Sequence, residues 1–161
     1  MSNKNFKNII ESCLMEAEEM KWVTRENANV DRVACPWLIR RFIDKDAEFI
    51  YVSRDQVLEV AKKEGAHSYD ADGAEYGHKD DKCTFDALIE AYKIDDPALL
   101  LLAKIVNGAD TSNPEAPPES AGLKAIAFGF ALTVSDDHRK IELETPMYDV
   151  LYEWCKRRLN K

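Results

Sequence analysis

"KWVTRENANVDRVACPWLIRRFIDKDAEFIYV", residues 21–52, sets two short apolar runs on either side of one amphipathic segment. KWVT (21–24) reads as a short strand, and AEFIYV (47–52), rich in aromatic and β-branched residues, as the clearest strand of the chain. Between them, Asp31 to Asp44 reads as mainly helical, with Ala34, Trp37, Leu38 and Arg41 sharing one face. A strand, a helix and a strand in this order favour parallel pairing, because the helix carries the chain back to the same sheet end.

Working outward, Ser53 is placed to cap RDQVLEVAKKE, Gly65 to end that helix, and HSYDA (67–71) to form a third strand. Everything later reads as helical. Thr84 opens TFDALIEAY, and Asp96 caps PALLLLAKIVNGAD with Pro97 at its first position. After the Pro-rich NPEAPPES (113–120), Ser120 is expected to cap AGLKAIAFGFALTV, which is apolar on nearly all sides and so expected to be buried. His138 in SDDHRK reads as a solvated turn, and Thr145 and Pro146 as the start of MYDVLYEWCKRRL, with Tyr148, Leu151 and Trp154 in the core. The fold class is therefore α/β or α+β, with a small three-stranded parallel sheet followed by a helical C-terminal half. Phe6, Ile9, Ile10, Cys13, Leu14 and Ala17 recur at helical spacing, so residues 1–20 are expected to form an N-terminal amphipathic helix and 21–161 a single domain.

The totals narrow the function. Thirty acidic against 22 basic residues give a net charge of -8, which argues against direct nucleic-acid binding, whose affinity rests on neutralising phosphates. The four cysteines are scattered with no C-x-x-C pair, as expected of reduced thiols in the cytoplasm. The N-terminal stretch does not read as a signal peptide, and the apolar run AIAFGFALTV (125–134) is about half the ~20 residues that span a bilayer, so no membrane is expected. No nucleotide-cofactor fingerprint appears.

Two stretches carry chemistry. In DRVACPWLIRRF (31–42), Pro36 disfavours a regular helix through Cys35, so Cys35 is expected at a helix start, where the dipole would make it a candidate reactive thiol; the alternative is simple packing. Arg41, on the Trp37 face, needs a carboxylate or an anion. Arg25, Arg32 and Arg40 would join it around a tetrahedral oxyanion if the first strand ends beside this helix, or would pair with Asp31, Asp44 or Asp46. In YDADGAEYGHKDDKCTFD (69–86), Glu75 and His78 are a candidate pair for a divalent metal, zinc or iron, with Asp70, Cys83 or Asp110 as further ligands. The alternative is a His78 hydrogen-bonded to Glu75 or Asp86. A second Glu-x-x-His at 64–67 suggests a di-iron pair, but both motifs contain glycine rather than lying in long helices, and that reading fails.

WVTR (22–25), DRVACPWLIRRFID (31–44), AEFIYV, GAEYGH with CTFD (73–86) and the Ala109–Asp110 pair together resemble the chromate-resistance family over residues 21–155. In fuller members this region is the C-terminal domain of a chromate-responsive regulator. The resemblance implies a role in chromate or other oxyanion stress, with a small oxyanion such as chromate as the ligand. Three function classes follow: an oxyanion- and metal-binding or sensing domain; a metal-dependent reductase or hydrolase using His78 and its acids; and an interaction module, which would expose an apolar patch.

Overall fold

A computed structural model describes residues 20–160; the expected N-terminal helix therefore lies, apart from Met20, outside the described residues. The chain runs β1 (Lys21–Arg25), α1 (Val30–Phe42), β2 (Glu48–Val52), a 3-10 turn (Arg54–Gln56), α2 (Val57–Glu64), β3 (His67–Ser68), α3 (Thr84–Ala91), α4 (Pro97–Asp110), α5 (Glu119–Thr133) and α6 (Asp137–Leu159). The three strands form one parallel sheet in the order β2–β1–β3, and Val23 at its centre lies opposite Ile50 on one side and Ser68 on the other. The expected parallel sheet and helical C-terminal half are both present, and α+β describes the whole. No helix among the described residues is long and apolar enough to cross a membrane.

Burial explains the order. Trp22, Val23 and Thr24 of the central strand are fully buried, and helix α1 buries nine consecutive-turn residues from Val30 to Ile39 against the helical half. Trp37 anchors that contact, with its ring 6.5 Å from Phe85, 6.1 Å from Tyr148 and 5.6 Å from Tyr152. Chain order β1–α1–β2–α2–β3 sends the chain first to one side of β1 and then to the other. The carboxyl ends of β1 and β3 thus open into a shared crevice, the usual place for a ligand in an open parallel sheet.

Several local expectations are corrected. Helix α1 passes unbroken through Cys35 and Pro36, so Cys35 lies mid-helix rather than at a start. Pro36 has no N–H to offer the Arg32 carbonyl, and the hydroxyl of Tyr51 on β2 donates to that carbonyl at 3.4 Å instead. Helix α6 likewise begins far earlier than Thr145: Asp136 caps it by accepting from the N–H of Arg139, His138 lies in its first turn and Pro146 sits inside. Thr145 donates its hydroxyl back to Ile141 O within the helix, and Trp154 is 38% exposed rather than core. Ser120 does not cap α5; it lies in the first turn and donates to Ile105 O of α4. Only Ser120, Leu123 and Ala127 of α5 are buried, which overturns the expectation of an enclosed helix.

Candidate functional site

Asp31, the second residue of α1, is the deepest carboxylate of the crevice, with its side chain 1% exposed. It is held by the start of another helix: Oδ2 accepts the Thr84 N–H at 2.7 Å and Oδ1 the Phe85 N–H at 3.0 Å. These are free N–H groups of the first turn of α3, where the helix dipole also favours a negative charge. The Cys35 thiol, one turn along α1, lies 3.5 Å from Oδ1.

Three further elements bring groups to this carboxylate. The loop after β3 places His78 Nε2 3.4 Å from Asp31 Oδ2. Helix α4 ends at Asp110, whose Oδ2 is 3.0 Å from the same nitrogen. Asp70, just beyond β3 with a left-handed φ of 45°, turns Oδ1 to within 3.4 Å of it. One ring nitrogen is thus surrounded by three carboxylates. Asp31, His78 and Asp110 each present a ligand atom, and all three atoms lie within 4.8 Å of one another.

Asp70 is also where the arginines gather. Arg32 Nη1 donates to Oδ2 at 3.0 Å, Arg25 Nε donates to the Asp70 carbonyl at 2.9 Å, and Thr84 Oγ1 donates to Oδ1 at 3.4 Å. Three acids and the cations Arg25, Arg32 and protonated His78 thus balance one another. His78 is pushed up to about 9, first by its hydrogen bond to Asp31 and then by the three negative charges, against the opposing effect of burial. Asp110 is pushed up to about 6, first by burial and then by the charges of Asp31 and Asp70. Burial and the Asp31 charge also raise Asp70, against the pull of Arg32 and Arg25.

The sequence candidates divide accordingly. His78, Asp70 and Asp110 come together, joined by Arg25 and Arg32. Arg40 and Arg41 do not reach them, which corrects the four-arginine convergence. Arg40 donates to Ala47 O and stacks over Phe49 at 4.9 Å, while Arg41 donates to Asp149 of α6, which also accepts from the Trp37 indole N–H at 2.7 Å. Glu75 pairs not with His78 but with the neighbouring histidine, His67 Nδ1, at 2.8 Å, and the His67 ring packs against Trp22. Cys83 turns to Asp86, 3.3 Å away, at the start of α3. Burial pushes both the Cys83 and Cys35 thiols up, the opposite of what a reactive thiolate requires. Sequence reasoning missed Asp31 as a site residue and gave it as an arginine partner; its signal was a carboxylate on a helix otherwise committed to burial.

A cleft of about 690 Å3 opens beside the cluster, with Arg25, Asp70, Gly77, His78 and Lys79 in its wall. The family model for the ChrB C-terminal domain matches residues 22–155. Protein ChrB of Cupriavidus metallidurans is 32% identical over 133 residues, covering 82% of this chain. The chain spans 40% of the length of that relative. No solved structure matches. The matched region contains every residue of the cluster, from Arg25 to Asp110, and the chain belongs to the ChrB C-terminal domain family.

Proposed function

We propose that this chain is a divalent-metal-binding domain whose ion is held by Asp31, His78 and Asp110 and meets a small oxyanion from the cleft. The observation that carries it is the approach of three ligand atoms to within 4.8 Å of one another on three separate elements, one of them a carboxylate buried in the protein interior. Membership of the family supports a link to chromate resistance. The donor set suits the group: carboxylate oxygens and one neutral imidazole are ligands for zinc or ferrous iron, and three protein ligands leave a position open. Asp31 is already oriented by two backbone N–H groups, as ligating carboxylates commonly are. Asp70 holds Arg32 and Arg25 beside the cluster, where Arg25 faces the cleft. An anion at the open position would meet that guanidinium and the ion together.

The cleft also favours a second reading, in which the ion acts as a Lewis acid in a metal-dependent reductase or hydrolase, because a reactant has room to reach it. Metal content and calorimetric titration of the full chain with zinc and, without oxygen, ferrous iron test the first reading. One ion per chain is expected, with affinity lowered at least ~10-fold in His78→Ala and in Asp110→Asn. Both side chains are partly exposed, so these variants are expected to retain the fold, which circular dichroism checks. Sub-stoichiometric metal unaffected by either change overturns the proposal. Sulfate or chromate binding that requires the metal extends it to the oxyanion, and turnover separates enzyme from binder.

A further inference from the structure

Helix α5 turns an uncharged half to solvent. At helical spacing its buried side is Ser120, Leu123 and Ala127, and the opposite side runs through Ala121, Gly122, Ala125, Phe128, Gly129 and Leu132. Phe128 is 49% exposed and Leu132 85%. Ile126, 48% exposed at the edge of this face, continues it into an apolar groove shared with Val150 and Trp154 of α6.

The glycines are a separate observation. A Cβ on Gly122 or Gly129 would meet nothing within 4 Å, whereas one on Gly108 of α4 would collide with Ala116 and Ser120. Gly108 is thus explained by the close approach of α5 to α4. Gly122 and Gly129 each weaken an exposed helix relative to alanine, and no packing among the described residues accounts for them.

We infer that this face of α5 is covered by the same face of a second copy of the chain, the two helices lying antiparallel about a two-fold axis through Ala125. The distribution of size along the helix selects this occupant. Ala121 and Gly122 lie on the N-terminal side of Ala125, and Phe128, Gly129 and Leu132 on the C-terminal side. Reversing one helix against the other about Ala125 sets each copy's Phe128 over the other's Gly122, and its Gly129 over the other's Ala121, the self-complementarity a two-fold interface demands. The face through Ala125 carries no charge, so no like charges meet across the two helices; Glu119 lines only the adjoining groove. Area agrees: at the exposures given, Ile126, Phe128, Leu132, Val150 and Trp154 offer roughly 600 Å2 per copy, and the small residues between them bring the total near the ~800 Å2 per partner of a standard interface.

Light scattering on the full chain, from low to high micromolar concentration, tests the inference. The expected mass is that of two 18.3 kDa chains. Ala125→Glu keeps helix propensity and is exposed in the single chain, but places two carboxylates against each other at the axis. It should give the mass of one chain with an unchanged far-UV circular dichroism spectrum, and mixing it with Ala125→Lys should restore the mass of two. Gly129→Leu, which has open space in the single chain, should also give one. A wild type that has the mass of one chain throughout, or a pair that both substitutions leave intact, overturns the inference.

Discussion

Asp31 Oδ2 receives the Thr84 N–H at 2.7 Å, so the second residue of α1 caps the first turn of α3 across 53 positions of sequence. The same oxygen lies 3.4 Å from His78 Nε2. One carboxylate therefore ties two helices together and forms the floor of the cluster. Asp31→Ala removes both helix-capping bonds and should cost about 2–4 kcal/mol, since each is a buried hydrogen bond to a charged acceptor. Asp31→Asn keeps one accepting oxygen and turns an NH2 toward a backbone donor, so a loss of about 1–2 kcal/mol is expected. Urea unfolding measures both. An Asp31→Ala protein as stable as the wild type would mean that the α1–α3 junction does not depend on this side chain.

The cluster predicts how stability varies with pH in the metal-free protein. His78 ordinarily titrates near 6.5 and does so at about 9 in the fold, so its contribution is complete below 6.5 and is lost as pH rises through 9. Asp110 moves the same way from 3.8 to about 6, its contribution complete below 3.8 and lost as pH rises through 6. Tm in chelator should therefore fall from pH 6.5 to 9 more steeply in the wild type than in His78→Gln. The effect is modest because the His78 side chain is 43% exposed. A bound divalent ion would take the place of the His78 proton, so stabilisation by zinc should grow over the same interval. Equal slopes in the two proteins would remove His78 from this account.

The regular part of the fold was legible because it follows from short-range pattern. Strands β1 and β2 carry the aromatic and β-branched residues that suit a sheet, and Asp96 with Pro97 marks the start of α4. The misplaced boundaries share a cause, which is that a tertiary contact outweighed a local signal. Pro36 stays in α1 because Tyr51 bonds the carbonyl it leaves free, and Ser120 is drawn from capping to the Ile105 carbonyl by the close α4–α5 contact. In the site, Asp70, His78 and Asp110 were legible from residue type alone. The partners were not: His78 lies three residues from Glu75 and His67 eight, yet Glu75 pairs with the farther histidine, which the β3–β1 pairing sets beside Trp22. Asp31 lies 47 residues before His78 in the chain, so no spacing rule could link them.

Arg41 tests the division of the arginines. Its guanidinium is 54% exposed in side-chain terms and pairs with Asp149. Arg41→Ala should cost less than about 1 kcal/mol and leave metal and anion binding unchanged. Arg32, with a side chain 16% exposed and bound to Asp70, is a different case. Arg32→Met leaves the buried Asp70 with one arginine fewer and should cost on the order of 3 kcal/mol, weakening anion binding as well. Thermal shift with sulfate separates the two. An Arg41→Ala protein that loses the sulfate response would reinstate the wider arginine cluster.

Glu144 presents a sharper case away from the site. It lies on α6, is 1% exposed, and neither carboxylate oxygen has a hydrogen-bond partner among the described residues. Lys140, one turn earlier, directs its ammonium to Ala28 O at 2.8 Å and to Asp137 Oδ1 at 3.0 Å. Asp137 in turn accepts the N–H groups of Asn27 and Ala28, so this ion pair holds the connection between β1 and α1 and leaves Glu144 without a bond among the described residues. Burial pushes Glu144 up to about 7, and the charge of Lys140 opposes it. A carboxyl group raised from 4.5 contributes stability that is complete below 4.5 and lost as pH rises through 7. Glu144→Gln retains the shape without the charge, and should be more stable than the wild type at pH 8 by on the order of 1–3 kcal/mol. At pH 4 the two should be nearly alike. Lys140→Met should act the other way at pH 8, by about 3 kcal/mol, because it leaves Asp137 buried and short of its cation. Chemical unfolding at the two pH values reads all three proteins. A Glu144→Gln variant that gains nothing at pH 8 would show that the Glu144 carboxylate is satisfied in solution by a group that ionisation does not disturb.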